Sequence, residues 1–313
     1  MDTDVWDVII VGGGAAGLSG ALMLGRARRQ VLVVDFGEPR NRFTHAMHGV
    51  LGRDGTSPAA LLADGRREVE SYGGGIQRGS VTQVSAPSDG FTVHITDLDG
   101  RSTSNATARR LLVTSGARDH LPDIPGLSKW WGRGVATCPY CDAYEVRDGR
   151  IGVLATGPGS PMQAQLLRQW SHSITYLTDS VGPPAGQELD DLTARGITIS
   201  EGPLRQVRGD GDRLIGVQLE DGTDIALDAI FTIPTLAPAD DLLRTLGSGI
   251  STGPMGEFAS VDATGRTSVE GVWAAGNVVN PAANIPISIG AGAMAGGAIN
   301  HDLVLDDIIR SRR

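Results

Sequence analysis

The residues Val5-Trp6-Asp7-Val8-Ile9-Ile10-Val11 run directly into Gly12-Gly13-Gly14-Ala15-Ala16-Gly17 near the start of this 313-residue chain. The apolar run predicts a buried parallel strand, and periodic apolar residues from 16 to about 28 predict a helix. A second apolar strand, Val31-Leu32-Val33-Val34, follows and ends in Asp35. Strand, G-x-G-x-x-G, helix, strand and acid in this order predict a dinucleotide-binding βαβ unit.

Each glycine of this fingerprint has a separate physical task. Gly12 permits the tight turn, Gly14 lets the backbone approach a pyrophosphate, and Gly17 allows close packing of helix on strand. The first N–H groups of the helix attract phosphate oxygens. Asp35, 18 residues after Gly17, is placed to accept hydrogen bonds from ribose hydroxyls. The candidate binding residues of this stretch are Gly12, Gly14, Ala15, Ala16, Gly17 and Asp35.

A second stretch has the same outline but lacks two of its features. A strand pattern over residues 151–156 leads to Gly157-Pro158-Gly159-Ser160-Pro161-Met162. Met162 occupies the third glycine position, where we expect its bulk to oppose close packing of helix on strand. No lysine or arginine occurs between residues 169 and 194, where arginine usually meets an NADP 2′-phosphate. We interpret Asp179, after the next strand, as a turn aspartate rather than a ribose ligand.

The chain has only two cysteines, and both lie in Cys138-Pro139-Tyr140-Cys141, directly before Asp142. This spacing lets two thiols close a small disulfide ring and often lowers the pKa of one thiol. A structural zinc site needs four ligands, and the six histidines stand at no ligand spacing. So short a loop also gives a structural disulfide little entropic advantage. The pair therefore predicts redox chemistry, which requires an electron acceptor.

Composition and charge exclude several kinds of partner. The formal net charge is −9 and the pI is about 5.1, so we expect neither nucleic acid nor an anionic membrane as a partner. The first apolar run is too short for a signal peptide, and no stretch reaches the ~20 apolar residues of a membrane span. Cysteines confined to one redox motif fit a reducing compartment. We therefore expect a cytoplasmic protein.

The remaining landmarks divide the chain into domains. A strand ends in Ser115-Gly116, prolines that follow mark one linker, and residues 234–238 mark another. The last block, Gly271-Val272-Trp273-Ala274-Ala275-Gly276-Asn277, precedes a predicted helix rich in Gly and Ala over about residues 288–309. Its small residues suit close contact with a flat ligand or with another backbone. We predict one domain from residues 1–116 and 240–313, with residues 117–239 inserted as a second.

This order of motifs resembles the thioredoxin reductase-like flavoproteins over essentially the whole chain. The resemblance implies an α/β fold of two Rossmann-like three-layer domains, a discontinuous FAD domain and a homodimer. It also implies that the first fingerprint binds FAD and that Gly116, Gly276 and Asn277 complete the site. The family usually has Asp where this chain has Asn277, so we expect this contact to lack the charge.

Met162 and the missing arginines match a subgroup of these proteins, the flavin-dependent dithiol oxidases of the gliotoxin, holomycin and romidepsin pathways. The resemblance implies oxidation of a small-molecule dithiol to a cyclic disulfide, with molecular oxygen as acceptor and hydrogen peroxide as product. It implies that Cys138 exchanges with substrate and that Cys141 faces the flavin. Asp142 would then move protons as general acid and base.

Two other functions stay open at the level of sequence. A reductase would pass electrons from NAD(P)H, or from another donor, through FAD to a protein disulfide. A flavoprotein redox sensor would use the cysteine pair as a switch. Asp142 also fits a helix cap or a solvated aspartate, and the neighbouring Trp130, Trp131 and Tyr140 fit either an apolar substrate pocket or ordinary packing.

Overall fold

The computed structural model describes residues 5–87 and 90–312. The chain forms two compact units. The first comprises Met1–Arg42, Pro58–Arg118 and Leu236–Arg313, and the second comprises Phe43–Ser57 and Asp119–Thr235. Phe43–Ser57 thus belongs to the second unit, although its position in the sequence assigned it to the first domain.

The structure gives the following bounds. The strands are β1 (Val5–Val11), β2 (Val31–Asp35), β3 (Gly75–Arg78), β4 (Ser80–Ser85), β5 (Phe91–Thr96), β6 (Thr103–Val113), β7 (Ala117–His120), β8 (Val135–Ala136), β9 (Arg150–Leu154), β10 (Ser173–Leu177), β11 (Thr198–Ser200), β12 (Leu204–Asp210), β13 (Arg213–Leu219), β14 (Asp224–Ala226), β15 (Ala229–Thr232), β16 (Thr235–Pro238), β17 (Ile250–Gly253), β18 (Gly256–Ala259) and β19 (Val272–Ala274). The helices are α1 (Ala15–Arg26), α2 (Pro58–Ser71), α3 (Pro139–Asp142), α4 (Ser160–Leu167), α5 (Gln187–Ala194), α6 (Asp241–Thr245) and α7 (Ile285–Arg310). None of the helices in the described stretches has the length and apolar character needed to span a membrane.

One large sheet forms the centre of the first unit. Its strand order is β3-β2-β1-β6-β5-β4, and β19 also pairs with β6. The pairs around β1, β2, β3 and β19 are parallel, whereas β4, β5 and β6 form an antiparallel meander. Side chains alternate along β1, so Val8 and Ile10 face the core that includes α1 and α7, while Ile9 faces the opposite core. The predicted strand–helix–strand unit is β1, α1 and β2.

Helix α7 packs against α1 through direct backbone contact. A Cβ at Gly292 would lie 2.0 Å from the carbonyl oxygen of Ala16, and one at Gly296 would lie 2.8 Å from that of Gly20. Real Cβ atoms do not approach a carbonyl so closely, so glycine is required at Gly292. This part of the small-residue face of α7 therefore serves helix packing, one of the two alternatives that the sequence left open.

A network of ion pairs joins the sheet to the last turns of α7. The guanidinium of Arg109, on β6, donates to Asp7 at 2.9 Å, Asp306 at 2.7 Å and Asp307 at 2.5 Å. Arg29 also donates to Asp307, at 2.8 Å. Because Asp7 lies on β1 and both other aspartates lie on α7, Arg109 connects two strands with the helix.

The second unit repeats the layered arrangement on a smaller scale. A parallel sheet has the order β11-β10-β9-β15-β8, and β12, β13 and β14 form a separate antiparallel sheet. Ile151 and Val153 of β9 pack with Leu167 of α4, while Leu154 and Ile230 pack with the antiparallel sheet. Both units therefore have the α/β architecture that the motifs predict, and the predicted fold class is confirmed.

We expect Gly292→Ala to lower the free energy of unfolding by roughly 1–3 kcal/mol, because the added methyl group forces α7 away from α1. Gly297→Ala is the matched control on the same helix, since a Cβ there would meet nothing within 4 Å. That control should raise stability by roughly 0.5–1 kcal/mol through helix propensity. Urea unfolding of both variants tests this, and equal effects would contradict the packing described.

Candidate functional site

The two cysteines form a disulfide at the start of a short helix. Cys138 and Cys141 are bonded, their Cα atoms are 5.3 Å apart, and α3 begins directly after Cys138. Pro139 suits the first helical position because the N–H that it lacks would have no partner there. The N–H groups of Cys141 and Asp142 donate to the carbonyl oxygen of Cys138 at 3.1 and 3.2 Å. This turn of backbone holds the two sulfur atoms within bonding reach.

A hydrogen bond from Gln163 of α4 fixes the segment that carries the disulfide, residues 137–145, which we call the redox segment. The role of Gln163 is not evident from the sequence. Its side chain is buried, and its Nε2 donates to the carbonyl oxygen of Thr137 at 2.8 Å. Thr137 directly precedes Cys138, so this hydrogen bond fixes the backbone at the start of the disulfide loop. No motif marks Gln163 in the sequence. Only the fold shows that this face of α4 lies against the redox segment.

Asp142 lies directly after the pair, and its surroundings change its proton affinity. Burial raises the pKa of this carboxyl to about 6, the negative charge of Glu145 adds to the rise, and His48 opposes it. A group with such a pKa gives and takes protons near neutral pH, as a general acid or base must. Asp142 is the last residue of α3, and the start of that helix has no side-chain cap hydrogen bond, so the geometry does not support the helix-cap alternative.

The three aromatic residues near the pair have different environments. Trp130 is buried and Trp131 is partly buried against the same core of the second unit. Both therefore contribute to ordinary packing. Tyr140, between the two cysteines, is 72% exposed and contacts Trp170 edge-to-face, with ring centroids 5.7 Å apart. Of the three, Tyr140 alone presents most of its surface to solvent.

The glycine turn of the first unit has the geometry that its sequence predicts. Gly12 has a φ of 106°, and a Cβ there would lie 2.4 Å from the carbonyl oxygen of Thr114. A Cβ at Gly17 would lie 1.9 Å from the carbonyl oxygen of Gly12. At Gly14, in contrast, a Cβ would meet nothing within 4 Å. The open side at Gly14 adjoins the first N–H groups of α1, which have no partner within the helix, so it suits a phosphate-bearing group.

Asp35 closes this turn from the end of β2. Its Oδ1 accepts hydrogen bonds from the N–H groups of Gly13 at 3.0 Å and Gly37 at 3.2 Å. Its Oδ2 pairs with Arg66 of α2 at 3.0 Å. A Cβ at Gly13 would lie 2.8 Å from that of Asp35, so the middle glycine is required as well. The sequence analysis missed Gly13 and Arg66, and the contact of Asp35 with a ribose stays a prediction.

The terminal glycine block returns to the start of α1. Gly276 has a φ of 81°, and a Cβ there would lie 3.2 Å from the Cβ of Ala16. The structure thus brings Gly276 together with Ala16, the second residue of α1; Ala15 directly precedes Ala16. Gly116, after β6, has a φ of 76° and open space at its Cβ position.

Asn277 has a visible structural task. Its Nδ2 donates to the carbonyl oxygens of Ala283 at 2.9 Å and Asn280 at 3.0 Å, so the amide holds together the loop that leads into α7. An aspartate at this position would lack these donors. The predicted contact of Asn277 with a cofactor stays a prediction.

Met162 does not act as the sequence predicts. Its side chain is 70% exposed and leaves α4 toward solvent, so the expectation that its bulk opposes close packing on the strand is wrong. The turn before α4 is instead closed by a polar side chain. The fully buried Ser160 accepts a hydrogen bond from the N–H of Thr156 at 3.0 Å. That contact ties the residues after β9 to the first residue of α4.

The carboxylate of Asp179 accepts hydrogen bonds within the second unit. Its Oδ1 accepts from the N–H of Leu204 at 2.8 Å, and its Oδ2 accepts from the hydroxyl of Ser180 at 3.1 Å. The carboxylate therefore ties the end of β10 to β12, whereas Asp35 faces its glycine turn. This geometry supports the interpretation of Asp179 as a turn aspartate.

Solved structures with this fold include close and distant relatives. HlmI is 41% identical with a TM-score of 0.91, over 98% of this chain and 95% of its own. An oxidoreductase from Agrobacterium tumefaciens is 39% identical with a TM-score of 0.89, over 96% of this chain and 99% of its own. The putative thioredoxin reductase TrxB of Bacillus anthracis is 28% identical with a TM-score of 0.87, over 96% of this chain and 99% of its own.

Sequence comparisons extend this relationship. Thioredoxin reductase tcpT of Claviceps purpurea and thioredoxin reductase sirT of Leptosphaeria maculans are each 28% identical to this chain, over 97% of it and 96% of their own lengths. Residues 6–296 match the pyridine nucleotide-disulphide oxidoreductase family, and they include both glycine turns and the cysteine pair. The chain therefore belongs to the pyridine nucleotide-disulphide oxidoreductase family and to its thioredoxin reductase-like flavoproteins.

Proposed function

We propose that this protein is a flavin-dependent dithiol oxidase that forms an intramolecular disulfide in a small-molecule dithiol of natural-product type. The observation that carries the proposal is the Cys138–Cys141 disulfide beside Asp142, in a unit that has no lysine or arginine in residues 169–194, where a 2′-phosphate would need one. Such a unit favours a thiol, rather than a nicotinamide, as the electron source. We also propose that the protein acts in the cytoplasm as a homodimer.

FAD fits the first unit. The open side of Gly14, the free N–H groups at the start of α1 and the neighbouring Gly276 form a cradle that larger side chains would fill. Bound there, FAD would supply a two-electron acceptor for the cysteine pair, with molecular oxygen as the proposed final acceptor and hydrogen peroxide as its product.

Disulfide exchange at the cysteine pair oxidises the substrate. One substrate thiolate attacks Sγ of Cys138, the Cys138–Cys141 bond breaks, and the sulfur of Cys141 leaves with the bonding electrons. The second substrate thiolate attacks the substrate sulfur of the mixed disulfide, releases Cys138 as a thiolate and closes the ring. Two electrons have then passed from the substrate to the pair; Cys141 receives one of the two thiol protons, Cys138 is left as a thiolate, and the other thiol proton has gone to solvent.

Asp142 moves the proton during this exchange. It takes the proton from an incoming substrate thiol and delivers it to the leaving sulfur of Cys141. With a pKa of about 6, the carboxyl is mainly ionised at pH 7 and ready to accept. Assistance by this base should weaken as the pH falls through about 6, because the carboxylate becomes protonated.

The charges of the second unit support oxygen rather than NADPH as the electron partner. A 2′-phosphate carries close to two negative charges at neutral pH, and Asp179 would repel it. No lysine or arginine lies between residues 169 and 194. The arginines that flank this stretch are engaged elsewhere: Arg168 donates to the carbonyl oxygen of Ser171 at 2.7 Å, and Arg195 to that of Gln165 at 2.8 Å.

A disulfide reductase is the second candidate, because tcpT and sirT carry the name thioredoxin reductase. Electrons would then run in the opposite direction, from NAD(P)H or another donor to the cysteine pair and on to a protein disulfide. The two candidates differ in which reagent donates electrons to the protein.

The oxidase should consume oxygen and release peroxide when it is given a small dithiol that can close a ring, with no nicotinamide present. Millimolar NADPH should not support turnover, because the stretch that would meet its 2′-phosphate, residues 169–194, has no lysine or arginine. An oxygen electrode and a peroxide assay measure both results. Rapid oxidation of NADPH, with no oxygen uptake on any ring-forming dithiol, would assign the protein to the reductases.

Asp142→Asn should lower turnover by roughly 10²–10⁴-fold, because the amide keeps the shape but cannot accept the substrate proton. Flavin content should not change. Asp148→Asn is the matched control, since it makes the same substitution at an exposed position of the same segment. A loss of less than about threefold in Asp142→Asn would remove Asp142 from the proposed proton transfer.

Gly14→Ala should weaken FAD binding by roughly tenfold or more, a loss of about 1.4 kcal/mol, because its methyl group enters the open side of the turn. The unfolding free energy of the flavin-free protein should stay within about 0.5 kcal/mol of the parent. Gly157→Ala, where a Cβ also meets nothing within 4 Å, is the control in the second unit. Flavin loss that is equal in both variants would argue against FAD in the first unit.

A further inference from the structure

The segment Phe43–Ser57 is a compact loop of the second unit. The N–H of Met47 donates to the carbonyl oxygen of Thr56 at 2.9 Å, and the N–H of Gly55 donates to that of Met47 at 2.8 Å. Met47 and Val50 are buried. At one end of the segment, Phe43 lies so close to Gly132 that a Cβ on the glycine would be 2.6 Å from that of Phe43. The loop therefore holds a fixed position within its unit.

This loop presents His48 to two carboxylates. Its Nδ1 lies 3.5 Å from Oδ2 of Asp54, in the same loop, and its Nε2 lies 3.5 Å from Oε1 of Glu145, three residues after Asp142. Asp54 is itself fixed, because its Oδ1 accepts from the N–H of Gly49 at 2.9 Å. The side chain of His48 is 27% exposed, so its ring lies against the redox segment with limited access to water.

His48 and Glu145 both change the proton affinity of Asp142. Among the described residues, the charges that shift the proton affinity of Asp142 are Glu145, which raises its pKa, and His48, which lowers it. Glu145 is the stronger of the two. Asp142 therefore responds to a residue from a loop that precedes it by almost a hundred positions in the chain.

We propose that His48, held between Asp54 and Glu145, is a positioning residue of the redox site that acts on the proton transfer of Asp142. The inference rests on the proposed role of Asp142. His48 favours the carboxylate form of Asp142, and its Nε2 lies 3.5 Å from Glu145, whose charge favours the acid form. His48 thus extends to lower pH the range in which Asp142 can accept a proton from a thiol, and Glu145 restricts that range to higher pH.

The opposite effects of Glu145 and His48 on the proton affinity of Asp142 provide the test. Dithiothreitol serves as the probe, and its cleavage of the Cys138–Cys141 disulfide is followed without air by quenching with iodoacetamide and counting alkylated cysteines by intact mass. Flavin absorbance is recorded in the same samples, because bound flavin accepts electrons from the reduced pair, and the two counts together give the amount of disulfide cleaved. The ionisation of the probe is common to all variants, so differences in the pH midpoint between variants report on the protein.

Glu145→Gln should move the acid midpoint down by roughly half a pH unit, and His48→Gln should move it up by a smaller amount. Glu220→Gln, which removes the same charge at an exposed turn of the same unit, should leave it in place. Asp142→Asn should remove the transition altogether. Circular dichroism identifies any variant that fails to fold, and Glu145→Gln, at a more exposed side chain, then tests the inference alone.

Two results would overturn the inference. If Asp142→Asn removes the transition but Glu145→Gln leaves the midpoint unchanged or raises it, the role of Asp142 stands and the His48–Glu145 pair has no part in it. If the two variants move the midpoint in the same direction, the inference fails in the same way. If Asp142→Asn retains the parent profile, the proposed proton transfer itself fails, and the inference fails with it.

Discussion

Contact between backbones without intervening side chains is the constraint on which the first unit depends. Gly17 lies against the carbonyl oxygen of Gly12, and Gly292 lies against that of Ala16, so the glycine turn, α1 and α7 meet at one place. A single methyl group at either contact would clash with a carbonyl oxygen. The same packing leaves the N–H groups at the start of α1 uncovered on the side of Gly14. The arrangement that closes the core therefore also creates the cradle.

The second unit repeats the strand–turn–helix–strand pattern, but the aspartate after its second strand bonds to a different part of the fold. In the first unit Asp35 receives the N–H of Gly13, whereas in the second Asp179 receives the N–H of Leu204, on a different strand. Ser160 closes the turn before α4. Helix α4 supports the disulfide loop through Gln163. Equal topology thus carries different hydrogen bonds in the two units.

Local patterns in the sequence predicted the elements whose residues are close in the chain. The first βαβ unit and the last helix follow from apolar periodicity and glycine spacing, although α7 begins at Ile285, slightly earlier than predicted. Contacts between distant residues were not predictable in this way. No motif shows that His48 meets Glu145, and a position in a fingerprint does not show that the side chain of Met162 leaves the helix toward solvent. The close approach of Arg66 to Asp35 likewise depends on the fold.

The central claim is that electrons enter this protein from a dithiol through Cys138 and Cys141. The most direct test is a single-turnover experiment without oxygen or nicotinamide, in which the cyclic disulfide formed from a ring-forming dithiol is counted per chain. The account predicts about two equivalents, one for the cysteine pair and one for the flavin, and none above background for Cys138→Ser. Absence of cyclic product from the parent protein, with full reduction of its flavin by NADPH in a parallel oxygen-free sample, would contradict the account.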